Sequence, residues 1–415
     1  MIPNKQKSRF RFLTTIGILI CTTIGGTIPD NGKALWAKAV QQQTQLPYGE
    51  TGSYSYDPLI EQSIQNEIGK IVLEKRKYPC NTVENCSKLA KNYKFDIQTS
   101  IHTGAQKIAE KIAQQIRYEG GEGLGATLLD NKTGQILALV NGNNESWKHN
   151  FALQIRQNGS VNKAIAVYAP AIEEGILDED DTVYDTIAYK PDGTPYKNDE
   201  GYRYLGPIPL WSAIAQSRNL PAINLVRQLG VAKMKKYLGW MGITEDPKEG
   251  ESLAIGGYNR GVTTAQTAAA YATVIGPTGC YHPPRLVQRI VNEKNEVIFD
   301  NQKPACKRPV FSEGTRGSMV RLLHNVIKSG TAKKIGQKFP GDYLFGKTGT
   351  SSGHRDHYLV VSSKDYTLAI WVGYYGNQYS PSEKSSSKTK DYFIKLYPKL
   401  KKILNIDATI PDFST

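Results

Sequence analysis

Residues 342–375 read DYLFGKTGTSSGHRDHYLVVSSKDYTLAIWVGYY. Three runs in it, DYLFGKTGT, HYLVVSS and YTLAIWVGYY, are rich in β-branched and aromatic residues and are separated by polar breaks, with a turn at Lys364–Asp365. That pattern predicts three successive strands. Two further strand signals lie far upstream in GATLLDNKTGQILALVNG (125–142), joined by a turn from Asn131 to Gly134. The segments between them read mostly as helix, among them IPLWSAIAQ, PAINLVRQLG and TTAQTAAAYATVIG. The simplest architecture is α+β. A five-stranded antiparallel sheet is built from both ends of the domain and flanked by helices, with an inserted, mainly helical lobe. A crevice between sheet and lobe is the natural ligand site.

Upstream of the sheet, HTGAQKIAEKIAQQIRYEGG (102–121) places Ala105, Ile108, Ala109, Ile112 and Ile116 on one helical face, and Gly120 can end it. A helical stretch is expected around Pro58 to Arg76, and the Gln-, Gly- and Ser-rich run 29–55 reads as a linker. Near the end, SPSEKSSSKTK (380–390) is low in complexity and reads as a flexible surface loop. A final helix is expected in DYFIKLYPKLKKIL, with Pro398 as a potential break. The division that follows is 1–28 signal peptide or signal anchor, 29–95 extracytoplasmic linker and membrane-proximal segment, 96–378 the main domain, and 379–415 loop and C-terminal helix or tail.

The chain's 415 residues carry 52 basic and 38 acidic side chains, a net charge of +14. A basic balance suits nucleic acid, an anionic surface or an acidic polymer. The lysines are spread along the chain without a stripe of interleaved aromatics, so nucleic acid is not an expected partner. Lys5, Lys7, Arg9 and Arg11 precede the apolar run Phe12 to Ile28, the arrangement of an export signal with its basic flank kept in the cytoplasm. The run is short for a membrane span, and Ala37–Ala39 offers a distant cleavage site. Cleaved signal and retained anchor both stay open. Export suits the four cysteines outside that run, Cys80, Cys86, Cys280 and Cys306, for which three pairings are possible and the local one is preferred. Their spacings do not suggest zinc, and His354 and His357 lie in a loop, so no metal or other cofactor is expected.

Three short polar breaks carry the chemistry. In QNGSVNKAIAVYAPA (157–171), Lys163 stands one turn after Ser160 at the head of an apolar helix. Burial disfavours an ammonium ion and favours a neutral amine, which can take the proton of a neighbouring serine and make it nucleophilic. In AIAQSRNLPAIN, Ser217 and Asn219 interrupt apolar helical sequence, and Pro221 marks a tight turn into the next helix. In FGKTGTSSG, Lys347, Thr348, Gly349 and Thr350 put a cation and two hydroxyls on a strand, with a glycine that lets a substrate backbone approach closely. Such a strand suits an extended peptide ending in a carboxylate. Each pattern recurs elsewhere: Ser-x-x-Lys at Ser385–Lys388 and Ser387–Lys390, and Lys-Thr-Gly at Lys132–Gly134.

The order Ser-x-x-Lys, Ser-x-Asn, Lys-Thr-Gly, on helix, inter-helix turn and strand, resembles the transpeptidase domain of penicillin-binding proteins, specifically the bifunctional class. The likeness runs from about residue 96 to 378 and extends to YRYLGPIPLWSAIAQSRNLPAINL, AIGGYNRGVTTAQTAAAYATVIGPTG, SGTAKKI and GKTGTSSGHRD. The resemblance implies that Ser160 attacks the penultimate D-alanine carbonyl of a peptidoglycan stem peptide and that Lys163 takes its proton. Ser217 relays that proton with Lys347 in support, and Asn219 holds the donor amide. Thr348 and Thr350 bind the terminal carboxylate, and the backbone N–H groups of Ser160 and Thr350 form the oxyanion hole. A second stem peptide's amine resolves the acyl-enzyme, and β-lactam antibiotics acylate the same serine.

Some positions depart from the family pattern. Asn158 and Ala164 stand where the family has proline, and His357–Leu359 replaces an aromatic pair. Only about seventy residues separate the apolar run from the domain. That is too short for a glycosyltransferase, so a separate glycan polymerase is the expected partner. A D,D-carboxypeptidase would use the same groups with water as acceptor, a β-lactamase would need a dedicated deacylating carboxylate, and a non-catalytic penicillin-binding receptor or scaffold would keep only the pocket.

Overall fold

Phe345–Thr350, Asp356–Ser362 and Tyr366–Tyr374 do form consecutive antiparallel strands, and the third is paired along its whole length with Glu122–Asp130. The computed structural model describes residues 57–143, 149–199, 201, 203–374 and 384–412. The expected N-terminal signal or anchor and the expected linker 29–55 lie outside these residues. Among the described residues no helix is long and apolar enough to cross a membrane.

In chain order the elements are α1 (Pro58–Glu74), α2 (Val83–Asn92), β1 (Asp96–Thr99), α3 (Thr103–Ala113), β2 (Glu122–Asp130) and β3 (Ile136–Asn143). Then come α4 (Ala169–Glu173), β4 (Thr182–Asp185), β5 (Gly206–Pro209), α5 (Leu210–Ala215), α6 (Asn219–Leu229), α7 (Val231–Trp240) and α8 (Thr264–Ile275). Last are β6 (Val287–Val291), β7 (Val297–Asp300), α9 (Glu313–Lys328), α10 (Lys333–Lys338), β8 (Phe345–Thr350), β9 (Asp356–Ser362), β10 (Tyr366–Tyr374) and α11 (Lys384–Leu404). The main sheet has the order β3-β2-β10-β9-β8, all antiparallel, so both ends of the domain meet at the β2–β10 pair. β8, which carries Lys347 to Thr350, is the edge strand facing the helical lobe.

Burial explains why the sheet reads so clearly. Leu368, Ala369, Ile370, Trp371 and Val372 are all buried on β10, a continuous apolar run that needs cover on both faces. α8 packs on one face with Ala268, Ala269, Tyr271, Ala272 and Ile275 buried, and α3 and α11 contribute Ile112, Tyr392, Phe393 and Leu396 to the same core. Two small sheets were not read from the sequence: β1-β6-β7 and β4-β5. Their strands are four or five residues long, and Val297–Asp300 shows no buried position to announce it.

The Ser-rich stretch 380–390 corrects the reading as a loop. From Lys384 it is the first two turns of α11, which continues through Pro398 to Leu404. Ser385 and Lys388 both hydrogen-bond the buried Glu122 carboxylate on β2, and this anchor draws a polar, low-complexity sequence into a helix. The second Ser-x-x-Lys is therefore a docking pair. Disulfides join Cys80 to Cys86 and Cys280 to Cys306, with Cα separations of 5.1 and 5.7 Å.

Candidate active site

Ser160 sits in a single 3₁₀ turn, Gly159–Val161, rather than in the first turn of a continuous α-helix. A π turn follows at Ala164–Tyr168, closed by the Ala169 N–H on the Ala164 carbonyl, and only then α4. Pro170 has no N–H to offer the preceding turn, and the wider turn accommodates it. Tight backbone packing fixes this segment against β8. A Cβ on Gly349 would lie 2.2 Å from the Asn158 carbonyl oxygen. Gly159 has φ +52°, and a Cβ there would lie 2.4 Å from the Thr350 carbonyl oxygen. Neither position has room for a side chain.

Ser217 ends α5. Its N–H donates to the Ile214 carbonyl and the Arg218 N–H to the Ala213 carbonyl, the paired bonds of a Schellman cap. The residue at that cap position is left-handed and usually glycine; here it is serine with φ +59°. A non-glycine residue there is strained, and the strain places the hydroxyl between two lysines. Lys347 Nζ donates to Ser217 Oγ at 2.6 Å, and Lys163 Nζ lies 3.4 Å from the same oxygen. Lys163 Nζ also reaches the Ser217 carbonyl at 2.5 Å and Asn219 Oδ1 at 2.6 Å.

Both lysines are fully buried. Burial holds Lys163 well below the usual lysine range, the Lys347 and Arg218 charges push it the same way, and Asp199 opposes them. Burial likewise brings Lys347 down to about 7, again opposed by Asp199. A neutral Lys163 has two N–H donors, and the Ser217 carbonyl and Asn219 Oδ1 account for both, which leaves its lone pair to receive a proton.

Ser160, Asn219 and Thr350 line one crevice of about 570 Å³, together with Asp199, Gly256 and His357. The Ser160 hydroxyl has no hydrogen-bond partner among the described residues. Lys163 and Lys347 both reach Ser217, and Lys163 also bonds Asn219, which lines the crevice with Ser160. Thr348 is not among the lining residues; its hydroxyl is 2.5 Å from that of Thr331. Among the described residues there is no cluster of three His, Cys, Asp or Glu side chains suited to a metal ion.

Sequence reading missed the groups that hold this arrangement. Arg218, between Ser217 and Asn219, is 3% exposed and bonds the fully buried Asp185 through Nε at 2.9 Å and Nη2 at 2.5 Å. Asn198 donates to Asp185 and accepts the Asn219 backbone N–H at 2.8 Å. At the far end of β8, the Asp356 carboxylate accepts from Arg156, Ser351 and Trp371 and fixes the loop after Thr350. Asn162, buried one residue before Lys163, donates to the Leu253 carbonyl and accepts from Tyr258, which ties the Ser160 segment to the lobe. An apolar run interrupted by Asp or Arg was the available signal, but partners so distant in sequence cannot be paired from spacing.

The family model for the penicillin-binding protein transpeptidase domain matches residues 124–379. Curated relatives include penicillin-binding protein 1F of Bacillus subtilis (strain 168), 33% identical over 68% of this chain and 40% of its own length. Penicillin-binding protein 1A of Clostridium acetobutylicum is 29% identical over 76% of this chain and 40% of its length. The chain thus spans about 40% of these relatives. Among solved structures, the penicillin-binding protein PonA1 from Mycobacterium tuberculosis in complex with penicillin V superposes with a TM-score of 0.69 at 20% identity, covering 86% of this chain and 96% of that one. The likeness supports the fold. The chain belongs to the penicillin-binding protein transpeptidase family.

Proposed function

We propose that this family member is a serine D,D-transpeptidase that cross-links peptidoglycan stem peptides through an acyl-enzyme on Ser160, and that β-lactam antibiotics acylate the same residue. The observation that carries the reading is the Ser217 hydroxyl held between Lys347 and Lys163 beside the crevice that Ser160 lines. In this reading neutral Lys163 takes the Ser160 proton as Oγ attacks the D-alanine carbonyl. Ser217 relays a proton to the departing D-alanine, with Lys347 sustaining the local field. Asn219 holds the donor peptide, and Thr348 and Thr350 bind its carboxylate on the β8 edge. The backbone N–H groups of Ser160 and Thr350 receive the oxyanion. Lys163 and Lys347 converge on Ser217 from separate segments, and Asn219, which Lys163 bonds, shares a cavity wall with Ser160; that convergence is what supports the assignment.

The same proposal places the domain outside the cytoplasmic membrane, tethered by the N-terminal segment or released after its cleavage. It works on strands supplied by a separate glycan polymerase. The two disulfides support an oxidising compartment. The test is to incubate the protein with a fluorescent penicillin, and separately with a stem peptide plus an amine acceptor. Stable label with cross-linked product is expected. Release of D-alanine without cross-linking would make it a carboxypeptidase, and stable label without peptide turnover a receptor.

A further inference from the structure

We infer that a second site, on the face formed by α10, α11 and the segment after α3, binds a linear phosphate-bearing polyanion. α10 and α11 together carry ten lysines and one aspartate, a large part of the net charge of +14. Four of these lysines edge a groove of about 1030 Å³ that shares no residue with the crevice lined by Ser160. Arg117, Lys334, Lys338, Lys388 and Lys395 line it, against the acids Glu119 and Asp391.

The acids are already engaged. Asp391 is paired with Lys334 at 2.7 Å, and Glu119 accepts from Tyr374 at 2.9 Å and lies 3.9 Å from Lys388. Lys388 is held by the buried Glu122. Arg117, Lys338 and Lys395 remain, exposed and with no carboxylate partner among the described residues. Three unpaired cations around one concave surface form an electrostatic trap for an anion that can enter it.

Shape and chemistry select the anion. The exposed large hydrophobic side chains of the described surface do not include any residue lining this groove, so a bilayer has no apolar foothold there, and a planar surface cannot follow a concave wall. A chain molecule can. The groove also lacks aromatic rings on which bases would stack. The side-chain amides of Gln115 and Gln337 add donors to the three charges, which suits phosphate groups rich in acceptor oxygens.

The test uses the full chain and a short inorganic polyphosphate. Three phosphate contacts on a single strand predict a log–log salt slope of about −2, so affinity falls roughly 20-fold between about 50 and 200 mM salt. The double variant Lys338→Glu, Lys395→Glu is expected to bind at least about tenfold more weakly at low salt with a slope shallower than about −1. Penicillin labelling of the same sample reports that the variant is folded. Absence of saturable binding, a variant that binds like the parent, equal binding of polyglutamate, or equal lysine-dependent binding to anionic lipid vesicles would each overturn the inference.

Discussion

Ser217 is strained by its backbone and placed by that strain, so two substitutions separate the roles of its backbone and its hydroxyl. Ser217→Ala and Ser217→Gly both delete the Oγ that accepts from Lys347 at 2.6 Å. They differ only in the Cβ at a position with φ +59°. A left-handed conformation costs a residue with a Cβ about 1–2 kcal/mol and costs glycine little. The glycine variant is therefore expected to be about 1–2 kcal/mol more stable than the alanine variant, a few degrees in melting temperature for a chain of this size. Both are expected to lose acylation equally, by about 10²–10⁴-fold, the usual contribution of a positioned proton-transfer group. The assays are thermal unfolding and the second-order rate of labelling by a fluorescent penicillin. Equal stability of the two variants would refute the strained cap. Labelling near the parent rate in either would refute the use of the hydroxyl.

Other outcomes follow from the same contacts. Lys347 has a folded pKa of about 7 against an ordinary 10.5, so between those values the unfolded chain binds a proton that the folded one does not. Stability then rises with pH across that window by about 1.4 kcal/mol per pH unit from this lysine and flattens below it; Lys347→Met removes that increment in urea unfolding at pH 7.5 and 9.5. Asp185→Ala leaves Arg218 buried without its carboxylate and is expected to cost about 3–5 kcal/mol, read as a fall in the denaturation midpoint. Gly349→Ala forces a Cβ to within 2.2 Å of the Asn158 carbonyl, so the Ser160 turn must move from β8. Penicillin labelling is expected to fall more than tenfold (~1.4 kcal/mol in the barrier) while far-ultraviolet circular dichroism stays unchanged.

How much of this was legible in the sequence depended on the range of the interaction. The five-stranded sheet was readable because β2, β9 and β10 are nearly continuous buried runs, and composition alone marks such strands. The Ser160, Ser217 and Lys347 segments stood out as polar groups inside apolar elements, and the fold links Asn219, Lys163, Ser217 and Lys347 in one chain of hydrogen bonds. The left-handed cap at Ser217 was not legible, since its usual marker is glycine. Nor was the helix at Lys384, because the carboxylate that orders it lies on a strand more than two hundred residues away in the chain. The Asp185–Arg218 pair, 33 residues apart, is joined only by the fold, and Thr331 entered the surroundings of Thr348 only through the packing of α9 on β8.

The most direct test of the central claim, that Ser160 is the nucleophile served by Lys163, Ser217 and Lys347, is peptide mapping by mass spectrometry after exposure to penicillin V. One penicilloyl adduct on the peptide containing Ser160 is expected in the parent protein, with none in Ser160→Ala and strongly slowed formation in Lys163→Met. An adduct on any other serine, or undiminished labelling without Lys163, would contradict it.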